Sequence, residues 1–448
     1  MKTINRKTLS AFALAMLVFG CKPEIDVPAV NKGSVDVSNY VAIGSSMTAG
    51  YADNALYYDA QMVSYPNLMA QQFKLAGGGS FRQPLVSSAS VGIGAMQNAR
   101  MALAPNTDCM GVTSLAPKYV APSGDLNIFG TSVAAQGPFN NMAVPGLKAV
   151  TAVYPGYGDF TKGLGNFNPF FTRMTANPQT ASILSDAAAQ NPSFFSLAIG
   201  NDDVMAFALA GGAADAITPS AGTPGVGFDA SIDAIVGTLT ANGAKGLVAS
   251  IPGLSAIPYF TTVPYNGLLL DNANAAALTA AYTPLGITFQ QGYNAFIIED
   301  GAAPGGMRKI ANGEYVLLSV PQDSLKCAGW GSMKPIPNQY VFTANEVTQI
   351  NDAISAYNTK LKAAAEAKGL AYVDMSAFMN TAKTGIMYNG VGLSAQFVTG
   401  GVFSLDGVHL TPLGNALLAN QFIKAINNKY GSTIPQLDAT RYKGVIFP

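Results

Sequence analysis

The chain is 448 residues long, carries 25 Lys and Arg against 25 Asp and Glu, and is 49% hydrophobic but only 11% charged. Balanced charge leaves no basic surface for nucleic acid, so apolar a chain is no disordered tail, and its length can bury a large core as one elaborated domain or two smaller ones. One His and three Cys are too few of the usual ligands for a zinc site, so no metal is expected.

Residues 1–20 read as an export signal. Lys2, Arg6 and Lys7 form a positive start, and residues 9–19 form an apolar stretch too short to span a membrane. It ends at Val18-Phe19-Gly20-Cys21, which resembles a bacterial lipobox, in which cleavage precedes the Cys and the Cys receives lipid. Simple secretion with cleavage nearby is the alternative reading. Loss of 1–20 removes three basic residues and no acidic ones, leaving 22 basic against 25 acidic. Cys109 and Cys327 then remain as a pair in an oxidising compartment, either bridged or as two buried thiols. Residues 21–38 hold Pro23 and Pro28 without helical periodicity, and read as a tether between a membrane and a folded body spanning 39–448.

The body alternates strands and helices. Apolar runs at 40–43 (ending at Gly44), 194–199 (ending at Gly200), 246–251 (closed by Pro252-Gly253), 315–320 and 370–373 predict five strands. Helical spacing appears over 231–242, with Ile232, Ile235, Val236 and Leu239 on one face, and again over 345–368 and 413–429. Strands separated by helices predict an α/β fold with a mainly parallel sheet covered on both faces. In such sheets the chemistry gathers where the strands' carboxyl ends open. Stretches near 75–140, rich in Gly, Ala, Pro and Asn, and near 252–345, rich in Pro, Tyr and Phe, break the alternation and read as insertions that wall or cover a site. Within the second, Pro258 to Tyr265 and Leu268 to Leu270 would either line an acyl groove or form plain core.

Three segments carry chemistry. Gly44-Ser45-Ser46-Met47-Thr48-Ala49-Gly50 sets serines on a turn directly after a strand, where a nucleophilic hydroxyl would be exposed beside backbone N–H groups; such turns also merely close loops. Asp406-Gly407-Val408-His409 holds the chain's one histidine, and an Asp three residues earlier can take its Nδ1–H and leave Nε2 to accept a hydroxyl proton. Gly200-Asn201-Asp202-Asp203 ends the second strand with an amide side chain that could donate to an oxyanion, or with acids that cap a helix. A softer segment, Asn140 to Gly146, could present the bare N–H of Gly146.

Together these four blocks, in this order, resemble the SGNH/GDSL hydrolase family. Gly44 to Gly50 is similar to its opening Gly-Asp-Ser-Leu-Thr-x-Gly, Asn141 to Gly146 to its second block, Gly200 to Asp203 to its Gly-x-Asn-Asp, and Asp406 to His409 to its Asp-x-x-His. The lipobox and the long insertions resemble lipoprotein members from Bacteroidetes-type bacteria. The resemblance implies a flavodoxin-like three-layer α/β/α sandwich and ester hydrolysis without cofactor. Ser46 would be the nucleophile, His409 the base and acid, Asp406 its orienter, and the N–H groups of Ser46 and Gly146 with one amide side chain the oxyanion donors. The competing α/β-hydrolase fold lacks its Gly-x-Ser-x-Gly elbow here.

The chain departs from the family pattern twice. Ser45 stands where the family has Asp, and Asp202 where it has the donor Asn, with Asn201 one residue early. Either Asn201 serves instead, or Asp202 is protonated, or the oxyanion site is weakened. The expected protein is therefore an exported lipoprotein esterase, held to the outer membrane through lipid on Cys21 and acting on an acyl lipid or an acylated glycan. The alternative is a weakly active or non-catalytic lipoprotein on the same fold that binds lipid or glycan.

Overall fold

The computed structural model describes residues 29–163, 165–213 and 216–448; the export signal and Cys21 lie outside the described residues. Four parallel strands form the central sheet in the order β1 (Tyr40–Gly44), β2 (Phe194–Ala198), β3 (Lys245–Ala249), β4 (Ala371–Val373). The register pairs Tyr40 with Phe194 and Ile43 with Leu197. Beyond β1 the chain adds a further edge: Asn141 bridges Ala42 in parallel, with Ala42 N–H on Asn140 O and Met142 N–H on Ala42 O. Counting that edge as the second segment in sequence gives a spatial order of 2-1-3-4-5, the flavodoxin-like order, whose ligand crevice opens between the ends of β1 and β2.

Every residue of β1 and β2 is buried, because alternate side chains enter cores on opposite faces. Val41, Ile43, Phe195, Leu197 and Val248 meet α4 (Phe228–Thr240) and α5 (Ala344–Ala367) through Ile232, Ile235, Ile350, Ile354, Tyr357 and Leu361. On the other face Tyr40, Ala42, Phe194, Leu247 and Ala371 meet α2 (Tyr65–Leu75) and α6 (Pro412–Tyr430) through Leu68, Phe73, Phe422, Ile423 and Ile426. The result is a three-layer α/β/α sandwich. Two short helices complete the parts used below: α1 (Ser46–Ala49) leaves β1, and α3 (Asp202–Leu209) leaves β2.

The helix ends follow from local chemistry. Thr343 and Glu346 cap α5 reciprocally, with Glu346 Oε2 accepting the Thr343 N–H at 2.7 Å. Thr411 Oγ1 accepts the Gly414 N–H at the start of α6, with Pro412 at its first position. This cap lies two residues after His409, so the helix anchors the loop that carries the imidazole.

Two expectations are corrected. The apolar run at 315–320 adds no strand to the parallel sheet. Only Tyr315–Val316 is extended, paired antiparallel with Val341–Phe342 inside the second insertion. Val316 and Val320 there fill a separate small core with Phe296, Ile298, Ile310, Ile336 and Val341, so burial, not sheet membership, made the run apolar. The second correction concerns the expected tether at 21–38, whose described end is docked onto the body. Val35 and Val37 are buried in the α2/α6 face, and Ser34 N–H donates to Tyr430 O at 2.9 Å.

The first insertion projects a partly exposed hairpin, Met101–Thr107 paired with Thr113–Tyr119. A disulfide, Cys109–Cys327, with Cα atoms 6.4 Å apart, ties its tip to the second insertion. Lys326 Nζ and Asp108 Oδ2, 3.0 Å apart, reinforce that junction. Among the described residues no helix is long and apolar enough to cross a membrane.

Candidate active site

Ser46 is the first residue of α1, at the carboxyl end of β1. The turn into it is tight. A Cβ on Gly44 would come within 2.0 Å of Thr48 Oγ1 and 2.6 Å of Ala198 O, a clash with backbone that no rotamer change relieves. The loop of His409 is equally constrained. Phe403 bridges Leu410, and Ser404 N–H donates to His409 O at 2.8 Å. Gly407 sits at φ +72, and its carbonyl accepts the Tyr259 N–H at 2.9 Å. Tyr259 therefore supports this loop, and its neighbour Phe260 is fully buried, so this part of the aromatic run is core and scaffold, not groove.

These two loops, 363 positions apart, meet. His409 Nε2 lies 2.8 Å from Ser46 Oγ, and His409 Nδ1 lies 2.9 Å from Asp406 Oδ2. A carboxylate cannot donate, so Nδ1 carries the proton and Nε2 accepts from the Ser46 hydroxyl. Asp406 also receives the N–H groups of Val408 and His409 on Oδ1, each at 2.8 Å, and the Asn54 N–H on Oδ2 at 2.9 Å. Burial alone would raise its pKa, but the His409 charge and these bonds prevail and hold Asp406 well below the ordinary carboxylate range. For His409, burial pulls the pKa down while Asp406 pulls it up more strongly, helped by Asp202 and Asp53, so the imidazole is more basic than usual. A hydroxyl, a basic imidazole and a fixed anion in series can pass a proton away from the hydroxyl as it attacks.

The anchor of Asp406 is a feature that the sequence reading missed. Asp53 and Asn54, both at positive φ (50 and 64), turn a tiny hairpin between Tyr51–Ala52 and Ala55–Leu56. Asp53 Oδ1 accepts the Leu405 N–H, its Oδ2 accepts the Tyr57 hydroxyl, and its own N–H donates to Ser404 Oγ. The signal was available: a two-residue Asp-Asn link between short apolar pairs is a hairpin-turn pattern. Tyr51 packs on the imidazole, ring centroids 4.7 Å apart, with its hydroxyl donating to Asn54 O. Asn415 ties the neighbourhood together, since its Oδ1 accepts the Tyr65 N–H and its Nδ2 donates to Leu410 O.

Asn141 is buried beside α1. Its Nδ2 donates to Thr48 O at 3.0 Å, while its Oδ1 accepts the Ala143 N–H. Because 140–142 runs parallel to β1, the following residues through Gly146 leave at the same end of the sheet as Ser46. Among the described residues, neither the Ser46 nor the Gly146 N–H has an acceptor. Tyr157 donates its hydroxyl to Gly146 O at 3.4 Å, and Asn168 Nδ2 donates to Pro145 O.

The third donor position is the unusual one. Asn201 precedes α3 with helical φ/ψ and no side-chain capping bond. Asp202 lies beside Ser45 and within electrostatic reach of His409 and Lys148. Asp202 Oδ2 and Ser45 Oγ are both shut off from solvent, and the Ser45 hydroxyl stands close enough to the carboxyl to favour its charged form. Burial raises the Asp202 pKa; Ser45, His409 and Lys148 oppose it but do not cancel the shift. Asp203, next along, fastens the Gly146 segment to α3: its Oδ2 accepts the Ala149 N–H at 2.7 Å.

Residues 40–422 match the family described as GDSL-like Lipase/Acylhydrolase. The chain belongs to that family. The matched span begins with β1 and ends in α6, so it encloses Ser46, Asp406 and His409, and membership carries with it the esterase or acylhydrolase class of function. No curated protein and no solved structure gives a match. Among the described residues of this GDSL-like protein, no three His, Cys, Asp or Glu side chains gather as a metal would require. A cleft of about 930 Å³ in the second insertion, lined by Asp300, Arg308, Glu314 and Glu346 among others, contains none of the GDSL residues. Its acids are already engaged, Asp300 and Glu314 with Arg308 and Glu346 as the α5 cap.

Proposed function

We propose that the protein is a serine ester hydrolase in which Ser46, His409 and Asp406 form the catalytic triad. The observation that carries this reading is the unbroken series Ser46 Oγ, His409 Nε2, His409 Nδ1, Asp406 Oδ2, with gaps of 2.8 and 2.9 Å. Ser46 Oγ attacks the ester carbonyl carbon as His409 Nε2 takes its proton, and the carbonyl electron pair moves onto oxygen. The N–H groups of Ser46 and Gly146 hold that oxyanion. Collapse breaks the ester C–O bond, His409 returns the proton to the leaving alcohol, and water then releases the acyl group by the same steps. A protein that only held a lipid or glycan would have no use for so complete a proton path, which favours turnover over binding.

The substrate class is an ester of an acyl lipid or an acylated glycan. By the lipobox at Val18 to Cys21, the enzyme works as an exported lipoprotein at the outer membrane. Hydrolysis of short p-nitrophenyl esters by the parent, Ser46→Ala and His409→Ala tests the activity: both variants lose it. A Ser46→Ala protein that turns over at the parental rate removes the proposal. Metabolic labelling with palmitate tests the location, with incorporation in the parent and none in Cys21→Ser.

A further inference from the structure

We infer that the Cys109–Cys327 disulfide holds the catalytic acid in place, by closing the two insertions into a frame that grips the Asp406 loop from both sides. The inference rests on the triad reading. It makes Asn54, Tyr119 and the two cysteines positioning residues, acting on His409 through Asp406.

One side of the frame is the hairpin of the first insertion. Its base is the pair Met101 and Tyr119. Met101 N–H donates to Asp53 O at 2.8 Å, and the Tyr119 hydroxyl oxygen accepts from Asn54 Nδ2 at 3.0 Å. Both strands therefore end on the turn whose Asn54 N–H holds Asp406 Oδ2 and whose Asp53 Oδ1 holds the Leu405 N–H. The other side is the second insertion. Leu318 N–H donates to Tyr259 O at 2.9 Å, and the Tyr259 hydroxyl donates to Ser319 Oγ at 2.9 Å. Tyr259 N–H in turn donates to Gly407 O, and a Cβ on Gly407 would come within 2.9 Å of Leu318 Cδ2. Asp406 and Gly407, adjacent in the chain, are thus the two points on which the frame closes.

The disulfide joins the two sides. The hairpin forms a two-stranded sheet of its own, and its second strand, Thr113–Tyr119, has no fully buried residue. Such a hairpin is marginally stable by itself and needs its ends fastened. Its tip also meets the second insertion through the Asp108–Lys326 ion pair, with a half-exposed lysine, and through a long 3.4 Å bond from Cys109 N–H to Asp323 Oδ1. Exposed ion pairs fasten weakly. Cys109–Cys327 is the covalent tie, and from Cys327 the chain runs back through the short helix Gln322–Lys326 to Ser319 and Leu318.

Opening this tie frees the tip and loosens the base. Both cysteines are exposed, so a dithiol reductant reaches them. Its thiolate attacks one cystine sulfur and releases the other; its second thiol then displaces the first, so that the dithiol leaves as a cyclic disulfide and its two protons end on Cys109 and Cys327. A displaced Asp53–Asn54 turn takes the Asn54 N–H from Asp406. It also withdraws Asp53, which with Asp406 and Asp202 makes His409 more basic. The imidazole is left less fixed and less basic, while the Ser46 turn is untouched. The chemical step slows, because small misplacements of reacting groups are costly.

The test measures p-nitrophenyl butyrate hydrolysis across the acid limb of the pH profile. It compares the parent before and after dithiothreitol, the reoxidised parent, and the Cys109→Ser, Cys327→Ser double variant, each shown by circular dichroism to be folded at the assay temperature. Reduction lowers kcat by about tenfold, leaves KM within about twofold and moves the acid limb to lower pH. Reoxidation restores both, and the double variant matches the reduced parent and ignores the dithiol. Tyr119→Phe keeps the disulfide and removes only the acceptor of Asn54 Nδ2. It shifts the limb the same way and lowers kcat by about threefold, which decides the matter should reduction unfold the chain. An unchanged kcat and acid limb in the folded, reduced protein, a rise in KM alone, or a Tyr119→Phe protein identical to the parent overturns the inference. Labelling of Ser46 by a fluorophosphonate separates the two levels of failure. A labelled, active parent indifferent to the dithiol removes only the frame; an oxidised parent with neither labelling nor turnover removes the hydrolase reading and this inference with it.

Discussion

Asp203 offers a test of the buried electrostatics that is independent of turnover. Its side chain is shut away at 1% exposure. One oxygen takes the Ala149 N–H at 2.7 Å, and the Thr218 hydroxyl stands beside the carboxyl. Burial, against the bonds from Ala149 and Thr218 and with some help from Asp202, pushes its pKa up to about 7 from an ordinary 3.8. The folded value lies above the unfolded one, so folding takes up a proton between them. The favourable contribution is complete below pH 3.8 and is lost as pH rises to about 7, after which the folded chain bears the full cost. About three units at about 1.4 kcal/mol each makes that cost roughly 4 kcal/mol, of which roughly 3 kcal/mol falls between pH 5 and 8.5. Asp203→Asn keeps an oxygen for Ala149 and removes the titration. Urea unfolding at pH 5 and pH 8.5 reads the effect: the parent loses stability over this interval by up to roughly 3 kcal/mol more than the variant. Parallel losses in the two proteins, or a variant less stable than the parent at pH 8.5, would refute the reasoning.

Other expectations follow from single contacts. Asp406→Asn presents an amide to at least one of four donors and unfixes the imidazole; kcat should fall by about 10⁴-fold, measured with a short ester. Because His409 titrates above its ordinary 6.5 and acts only when neutral, parental activity should be lost as pH falls through that raised value, and a rate unchanged down to pH 5.5 would contradict the assignment of the base. Gly44→Ala drives a Cβ to 2.0 Å from Thr48 Oγ1, so the variant should fail to fold or lose activity, as circular dichroism and ester turnover would report. Reducing Cys109–Cys327, which closes a span of 218 residues, should destabilise the protein by about 2–5 kcal/mol in thermal or urea unfolding.

Much of the framework was legible because it depends on local pattern. β1 and β2 are buried on both faces, so each reads as an apolar run stopped by glycine, with Ser196 the one polar residue in β2, and the stripes of α4, α5 and α6 have helical spacing. What escaped detection depends on contacts distant in sequence. The edge beside β1 rests on the single Ala42–Asn141 bridge, in a segment whose composition reads as loop. The run at 315–320 reads as a strand because burial in a satellite core and burial in the main sheet leave the same apolar mark. Residues 33–38 lack helical period, yet the alternating Val35 and Val37 dock against α6, a short period-two signal beside prolines. Within the site, Ser46, Asp406 and His409, which the structure brings together, stand out in the sequence because a serine, an acid and the lone histidine sit in recognisable blocks. Asp53 and Asn54 went unnoticed because their partners Ser404, Leu405 and Asp406 lie 351 and 352 positions away in the chain.

The central claim is that His409 activates Ser46. The most direct measurement is the rate and location of fluorophosphonate attachment in the parent and in His409→Ala, read by peptide mass. The account predicts one adduct, on the peptide containing Ser46, forming at least about 10³-fold more slowly when the imidazole is gone. An adduct on any other residue, or equal labelling rates in the two proteins, would contradict it.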